Sequence, residues 1–459
     1  MKKLLETTIK KITPSLNELK KESEFAEKIK EKINLIGGNF ESIELVGSIA
    51  RNTHLRGDRD LDIFILFPKN TPREEFEKEG LRIGKEVFKG HKWEKAYSEH
   101  PYIRGEIEGY KVEIVPAYKI LDAGLLQSAV DRSVFHAEHI IQNLKPGQEK
   151  EVRLMKQFMK GTKCYGADLS SNGFPGYVAE LLILKYGDFK NALKEISQWK
   201  NGEVIDTEIQ YTPDEATKKF NTHLIVIDPV DKNRNVAAAL SLNQFARFIG
   251  ASRAFLKKPS PNFFFPKNHK PWPAKKLRAF LKKTELVAIE MGYPNDVVED
   301  VMWGQLRRFS KKIANLCEEK DFSVKRSEEW LEHQKRCIIM IELESTILQK
   351  VKVEEGPEVI DEKNSEAFLK AHPKIISGPR IENARWIVEV ERNYSDIKIL
   401  LKDLLKKMKK QEREGIRKGI SKKCTILNEK EIVELYSKNK EFQQFLTAYL
   451  KGKEIFLDY

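Results

Sequence analysis

Three carboxylates and a glycine-serine turn carry the most specific chemistry in this chain of 459 residues. The run Gly47 to Asp62 reads GSIARNTHLRGDRDLD and leads into the apolar stretch Ile63 to Phe67. Side chains alternate along a strand, so Asp60 and Asp62 share one face, roughly 7 Å apart at ~3.4 Å per residue. Paired carboxylates offer the oxygen ligands that hard cations such as Mg²⁺ take. Two like charges at the head of an apolar strand are costly to bury without a compensating cation. Glu113, between Val112 and Ile114, supplies a third acid on a separate strand. Two carboxylates on one strand and one on a neighbour fit a two-metal phosphoryl-transfer site. Upstream, Gly47 allows a tight turn after Val46 into a short helix, whose free N–H groups can hold phosphate. The Ser48 hydroxyl adds a donor, and the Arg51 guanidinium reaches the same anion. An Asp-x-Asp pair alone is most often a solvated surface feature. The order strand, Gly-Ser, helix, Asp-x-Asp strand, third acid strand is what makes the pattern specific.

The elements that must position these residues follow from hydrophobic spacing. Phe25, Ile29, Ile33 and Ile36 predict a helix from Ser23 to Ile36, ended by Gly37-Gly38. Strands are expected at Ile43 to Val46 and Leu61 to Phe67. A hairpin follows from Tyr102 to Ile107 and Tyr110 to Val115, turning at Glu108-Gly109 and stopped by Pro116. From Glu149 the pattern turns helical, with helices around Val152 to Met159 and Tyr177 to Leu184, and amphipathic helices continue to about Lys257. Lys258 to Pro273, proline-rich and carrying Phe263-Phe264-Phe265, reads as an ordered connector. Beyond it, Asn295 to Glu319 is expected as a helix, Cys337 to Leu343 and Ala384 to Val390 as strands, and Tyr394 to Gly415 as one long basic helix. No internal repeat or low-complexity segment is present.

Composition narrows the class. The net charge of +13 favours a polyanionic partner. From Tyr394 to Lys423 there are 11 Lys and Arg against 4 Asp and Glu, so this segment carries +7 of the total. Its apolar members Ile397, Leu401, Leu404, Leu405 and Met408 bury one side, leaving a lysine-rich face able to follow an RNA backbone. No apolar run approaches the ~18 residues of a membrane span. Met1 to Lys11 is charged and lacks the core of a secretory signal, which predicts a cytoplasmic protein. Cys164, Cys317, Cys337 and Cys424 are scattered without CxxC spacing, arguing for reduced thiols over zinc or disulfides.

Several single residues are ambiguous on their own. On its own His136 reads as a helix-packing histidine before a ligand, and with His139 alone it lacks the ligand set for zinc. Lys156 lies among Met155 and Phe158 on a helix feeding a polar loop, where it can clamp phosphate as a point charge. Tyr165 can stack on a base or ribose, or simply pack. Arg234, among Asp228, Asp231, Lys232 and Asn233, reads by default as a solvated turn.

The acid pattern resembles the polymerase-beta-type nucleotidyltransferase superfamily. The strings KVEIVPAY (Lys111 to Tyr118), VRLMKQFMKGTKCYGADLSSNGFPGYVAE (Val152 to Glu180), DPVDKNRNVAA (Asp228 to Ala238) and FFFP (Phe263 to Pro266) narrow it. Together they resemble the archaeal, class I CCA-adding tRNA nucleotidyltransferases, distinctly from residue ~20 to ~270 and less so beyond. The resemblance implies template-independent addition of C, C and A to the 3′ end of immature or damaged tRNA, from CTP and ATP. It implies a two-ion Mg²⁺ site, release of pyrophosphate and a homodimer. The alternative within the superfamily is a poly(A) polymerase or other RNA nucleotidyltransferase. The implied fold is α+β and multidomain. Residues 1–145 form a nucleotidyltransferase head of mixed sheet with helices, and 146–257 a helical central domain. Residues 258–286 with 381–459 form an α/β body, and 287–380 a tRNA-binding tail. By resemblance, Asp60, Asp62 and Glu113 are the catalytic metal carboxylates and Ser48 and Arg51 contact the triphosphate. His136, Lys156, Tyr165 and Tyr177 contact the nucleotide, and Arg234 helps select the incoming base. One departure stands out: the third acid is usually Asp in this family and is Glu113 here.

Overall fold

Ser15 sets the start of the first long helix: its hydroxyl accepts from the Glu18 amide while the Glu18 carboxylate accepts from the Ser15 amide. This capping box begins the helix at Leu16, earlier than the apolar spacing predicts. The molecule is described by a computed structural model covering all residues except 98, 121–127, 129, 169, 268, 269, 458 and 459. It divides into two compact units, residues 1–267 with 454–459, and residues 268–453.

The first unit opens with α1 (Lys2–Ile12) and α2 (Leu16–Ile36). It continues through β1 (Ser42–Val46), the four-residue α3 (Gly47–Ala50), β2 (Asp60–Phe67), α4 (Arg73–Val87), β3 (Trp93–Tyr97), β4 (Pro101–Ile107) and β5 (Tyr110–Tyr118). The strands form one mixed sheet in the order β1-β2-β5-β4-β3, in which β2 and β5 run parallel and the other pairs antiparallel. Leu61, Ile63, Ile65, Phe67, Val112 and Ile114 join residues of α2 and α4 in one core. Phe64, Leu66, Val115 and Ala117 pack on the opposite face. The β4–β5 turn has φ of 52° at Glu108 and 77° at Gly109, the hairpin geometry that the dipeptide predicts. Contrary to expectation, β5 does not stop at Pro116. Pairing with β4 ends at Ile114, and Pro116 continues on its other neighbour, opposite Ile65 of β2.

The same unit continues with α5 (Arg132–Asn143), α6 (Gln148–Gly161), α7 (Gly176–Tyr186) and α8 (Phe189–Ile196). Then come β6 (Glu203–Ile205), α9 (Pro213–Phe220), β7 (Leu224–Asp228), β8 (Asp231–Asn235) and α10 (Leu242–Lys257). The amphipathic helical pattern expected up to Lys257 is interrupted by strands, since β6, β7 and β8 form a small sheet. Leu224 to Asp228 is buried at every position, the pattern of a short covered strand. Phe263 and Phe264 of the connector are buried against Phe158, Phe189 and Phe255 in the core of this unit.

The second unit contains α11 (Ala274–Leu281), β9 (Glu285–Gly292), α12 (Glu299–Glu318), β10 (Val324–Glu332), β11 (Arg336–Leu343), β12 (Val351–Glu358) and α13 (Glu362–Ala371). It closes with β13 (Ser377–Glu382), β14 (Arg385–Glu391), α14 (Ile397–Met408), α15 (Glu414–Lys422), β15 (Cys424–Leu427), α16 (Glu429–Lys438) and α17 (Lys440–Lys451). Its sheets have the orders β10-β11-β9-β15 and β12-β14-β13. Residues 286 and 287, between which the sequence reading divides body from tail, lie together inside β9. The long basic helix expected from Tyr394 to Gly415 is two helices, α14 and α15. Lys409 to Arg413 offers no apolar side chain to bury, and Arg413 turns to φ −58°, ψ 153° to start α15. Cys164, Cys317 and Cys337 are buried and Cys424 is half-buried. Among the described residues, no helix is long and apolar enough to cross a membrane.

Candidate active site

The parallel register of β2 and β5 pairs Asp62 with Glu113 and Asp60 with Lys111. All four lie on the sheet face that carries Phe64, Leu66, Val115 and Ala117, away from the α2–α4 core. Two carboxylates side by side in partial burial repel. The Asp62 carboxyl is accordingly pushed up to about 7, first by burial, then by Glu113 and Asp60, with Arg51 opposing. Burial also raises Glu113, against Arg104, its partner on β4, and Tyr102. Gly47 is what lets β1 run this close. It adopts φ +75°, and a Cβ there would stand 1.9 Å from Asp62 Oδ2.

The donor set is entirely oxygen, which suits a divalent cation. The raised Asp62 carboxyl marks negative charge that Arg51 alone does not balance. Asp60 differs from its neighbours: it is exposed, with Oδ1 3.6 Å from Lys111 Nζ. Among the described residues, no three His, Cys, Asp or Glu side chains already form a metal cage. The side chains thus fit a cation in chemistry, with Asp62 and Glu113 adjacent and Asp60 held toward Lys111.

Two cavities meet at these acids. One, of about 460 Å³, is lined by Arg51, Asp62, Glu113, His136, Tyr177 and Arg234 among others. The second, of about 630 Å³, is lined by Asp60, Asp62, Trp93, Arg104, Lys111 and Glu113 among others. Asp62 and Glu113 belong to both walls, so a group in either cavity reaches the same carboxylates.

Behind the first cavity stand two buried carboxylates that sequence reasoning did not nominate. Glu180, on α7 and fully buried, accepts from Arg51 Nε at 3.1 Å, from Lys156 Nζ at 3.0 Å and from the Thr53 hydroxyl. Lys156, on α6, also donates to Thr53 Oγ1 at 3.0 Å. Burial alone would raise Glu180, but Lys156 and Arg51 hold it below the usual carboxylate range. Lys156 is lowered by its own burial, with Glu180 opposing. Asp228, at the end of β7, accepts from His136 Nε2 at 2.8 Å and from Arg234 Nη1 at 2.7 Å. Burial would raise Asp228 too, and His136 and Arg234 reverse it. The His136 ring stacks on Tyr177 with centroids 4.2 Å apart.

Of the ten nominated residues, Arg51, Asp62, Glu113, His136, Tyr177 and Arg234 therefore share one cavity, and Asp60 lines its neighbour. Ser48 sits on α3, half-buried, and its carbonyl accepts from the Thr53 amide at 2.9 Å. Lys156 is almost wholly buried. The Tyr165 hydroxyl lies at the head of α7, where a Cβ on Gly176 would stand 2.7 Å from it. The missed acids did leave a signal. Glu180 is the one charged residue in the apolar run VAELLIL, and Asp228 ends the apolar run LIVID.

Comparison with known proteins agrees along the chain. Residues 22–136 match the nucleotidyltransferase domain, 150–265 the second domain of tRNA nucleotidyltransferase, and 282–429 the C-terminal domain of the CCA-adding enzyme. The CCA-adding enzyme of Methanothermobacter thermautotrophicus is 37% identical over 404 residues, 86% of this chain and 87% of that one. That of Methanosarcina mazei is 37% identical over 413 residues, covering 89% and 88%. That of Methanocaldococcus jannaschii is 37% identical over 417 residues, covering 88% and 90%. This chain belongs to the family of CCA-adding enzymes.

Proposed function

We propose that this protein adds C, C and A in turn to the 3′ end of tRNA, using CTP and ATP without a nucleic-acid template and releasing pyrophosphate. The observation that carries the reading is that Asp62 and Glu113 border two cavities at once. A nucleotidyl transfer brings two substrates to one reacting phosphorus. The incoming nucleotide lies in the cavity of Arg51, His136, Tyr177 and Arg234, and the RNA 3′ end enters beside Trp93 and Lys111. The 3′ oxygen bonds to the α-phosphorus as the bond to the pyrophosphate oxygen breaks. Asp60, Asp62 and Glu113 hold divalent cations, two Mg²⁺ ions in this reading. Bound there, the ions make the 3′ hydroxyl more acidic and neutralise the triphosphate. Ser48 and Arg51 hold the triphosphate end, and Lys156 and Tyr165 add contacts to the nucleotide. His136, Tyr177 and Arg234 face the sugar and base.

In this reading residues 1–145 are the catalytic head and 146–257 the central nucleotide domain. Residues 258–286 with 381–459 are the body, and 287–380 the tail that grips tRNA. The protein works in the cytoplasm, as a homodimer. The test is extension of a tRNA that ends at the discriminator base, with each nucleotide supplied alone and in order. The expected result is two additions from CTP and one from ATP, with ATP used only after the two Cs. Unlimited A addition without CTP would overturn this in favour of a poly(A) polymerase.

A further inference from the structure

Arg51 faces the nucleotide cavity from a position it does not set by itself. Its Nε donates to Glu180, and among the described residues its two terminal amino groups carry no hydrogen bond. A guanidinium fixed through Nε presents those two donors as a fork, the geometry that grips a phosphate through parallel N–H···O bonds. The same carboxylate receives the ammonium of Lys156 and the hydroxyl of Thr53. Arg51 and Thr53 follow α3 of the sheet region, whereas Lys156 and Glu180 belong to α6 and α7, so Glu180 ties the two parts together. Glu180 thus offsets one of the two positive charges it holds, and the Arg51 guanidinium faces the cavity that Asp62 and Glu113 also line.

We propose that Glu180 is a positioning residue for the anionic tail of the incoming nucleotide, holding Arg51 and Lys156 in place so that the terminal amino groups of Arg51 meet the triphosphate. This rests on the reading of that cavity as the nucleotide site. Two consequences separate it from a merely structural role. The phosphates are common to CTP and ATP, so losing Glu180 weakens both alike. The RNA end uses other groups, so its affinity is untouched.

The test compares Glu180→Gln and Glu180→Asp with the wild-type enzyme. It measures KM for CTP and for ATP, kcat, KM for tRNA, competitive inhibition by inorganic pyrophosphate, and Tm. Glu180→Gln removes the charge and keeps the shape. It is expected to raise KM for both nucleotides, and Ki for pyrophosphate, by about 10- to 100-fold, the scale of a lost charge-assisted hydrogen bond, with KM for tRNA within about twofold. Glu180→Asp keeps the charge and withdraws one methylene, so its rise should be smaller and in the same pattern. Should the Gln variant fail to fold, the Asp variant decides by the same ratios. Unchanged or tighter nucleotide and pyrophosphate binding would overturn the proposal. So would a loss of kcat that tracks Tm with nucleotide KM unmoved, or unequal effects on CTP and ATP. Failure of the CCA reading shows separately, as a wrong order of addition by the wild-type enzyme, and leaves the pyrophosphate comparison intact.

Discussion

Asp62 and Glu113 stand opposite each other in the parallel pairing of β2 and β5, the only such pairing in the head sheet among the described residues. Across a parallel pair, register partners present their side chains to the same face. The two carboxylates therefore meet beside Arg51 at the junction of two cavities. Burial first, and then the repulsion of Glu113 and Asp60, make Asp62 hard to ionise in the folded protein.

Replacing Asp62 by Asn should lower nucleotide incorporation by at least about a thousandfold while leaving tRNA binding intact, since the change removes a metal-holding charge and keeps the shape. Full incorporation by the variant would remove Asp62 from the site. A thermal measurement adds an independent check. The folded-state carboxyl titrates near 7, above its ordinary value of 3.8, so its contribution to stability is complete below about pH 4 and is lost as pH rises through 7. With metal removed by chelator, wild type should therefore lose Tm progressively between about pH 4 and pH 7 relative to Asp62→Asn, and run parallel to it above that. Adding Mg²⁺ should restore more Tm at pH 8 than at pH 6. Identical pH profiles with and without the carboxylate would contradict the assignment.

Glu113 stands where the resemblance described above leads one to expect Asp. Its β4 partner Arg104 and the hydroxyl of Tyr102 stabilise the charged form against burial. A shorter arm keeps this charge. Glu113→Asp is accordingly expected to retain activity within about tenfold, short of the roughly hundredfold that a 1 Å misplacement costs, whereas Glu113→Gln should lose more than that. Steady-state kinetics at saturating Mg²⁺ check both. Equal activity of the Gln variant would show that the third carboxylate is dispensable.

Asp228 ties His136 and Arg234 together at 2.8 and 2.7 Å, on the wall assigned above to sugar and base. Asp228→Asn keeps the shape and weakens two charge-assisted hydrogen bonds, an effect of about 10- to 100-fold on nucleotide kcat/KM. Unlike a change at Glu180, this one should act unequally on ATP and CTP, shifting their ratio at the final addition by at least about fivefold. The ratio, measured on tRNA ending in CC, is the readout. An unchanged ratio would mean that the Asp228 pair does not read the base.

The acids were legible in the sequence because a strand alternates with period two, so Asp60 and Asp62 fall on one face by counting alone. Their register with Glu113 was not, since a parallel pair is joined through distant chain and its offset is set by packing. Glu180 shows the limit more sharply. A lone carboxylate in VAELLIL announces a buried charge, but its partner Arg51 lies 129 residues away and nothing local names it. Asp228 and His136 are 92 residues apart. The β6-β7-β8 sheet was within reach of the LIVID run and was obscured by the amphipathic helices around it. In the basic segment, composition gave the charge but not the break. The five polar residues 409–413 end one apolar stripe, and Ile416 and Ile420 begin another that is buried in the same core.

Ile397, Leu400, Leu401, Leu405 and Met408 of α14 are buried, which turns its lysines outward. Lys402, Lys406 and Lys409 line a cleft of about 470 Å³ that Lys423 also borders, with no acid among its lining residues. Such a cleft suits the phosphates of a folded RNA, whose binding releases condensed counterions and weakens with salt. Converting Lys402, Lys406 and Lys409 together to Ala should weaken tRNA binding. It should also flatten the slope of log affinity against log salt by about two to three, roughly one for each phosphate no longer neutralised. Turnover at saturating tRNA should stay within about twofold, because the substitutions lie outside the chemistry. Filter binding between 50 and 200 mM salt measures the slope. Parallel lines for variant and wild type would show that this face is merely solvated and that the RNA is gripped elsewhere.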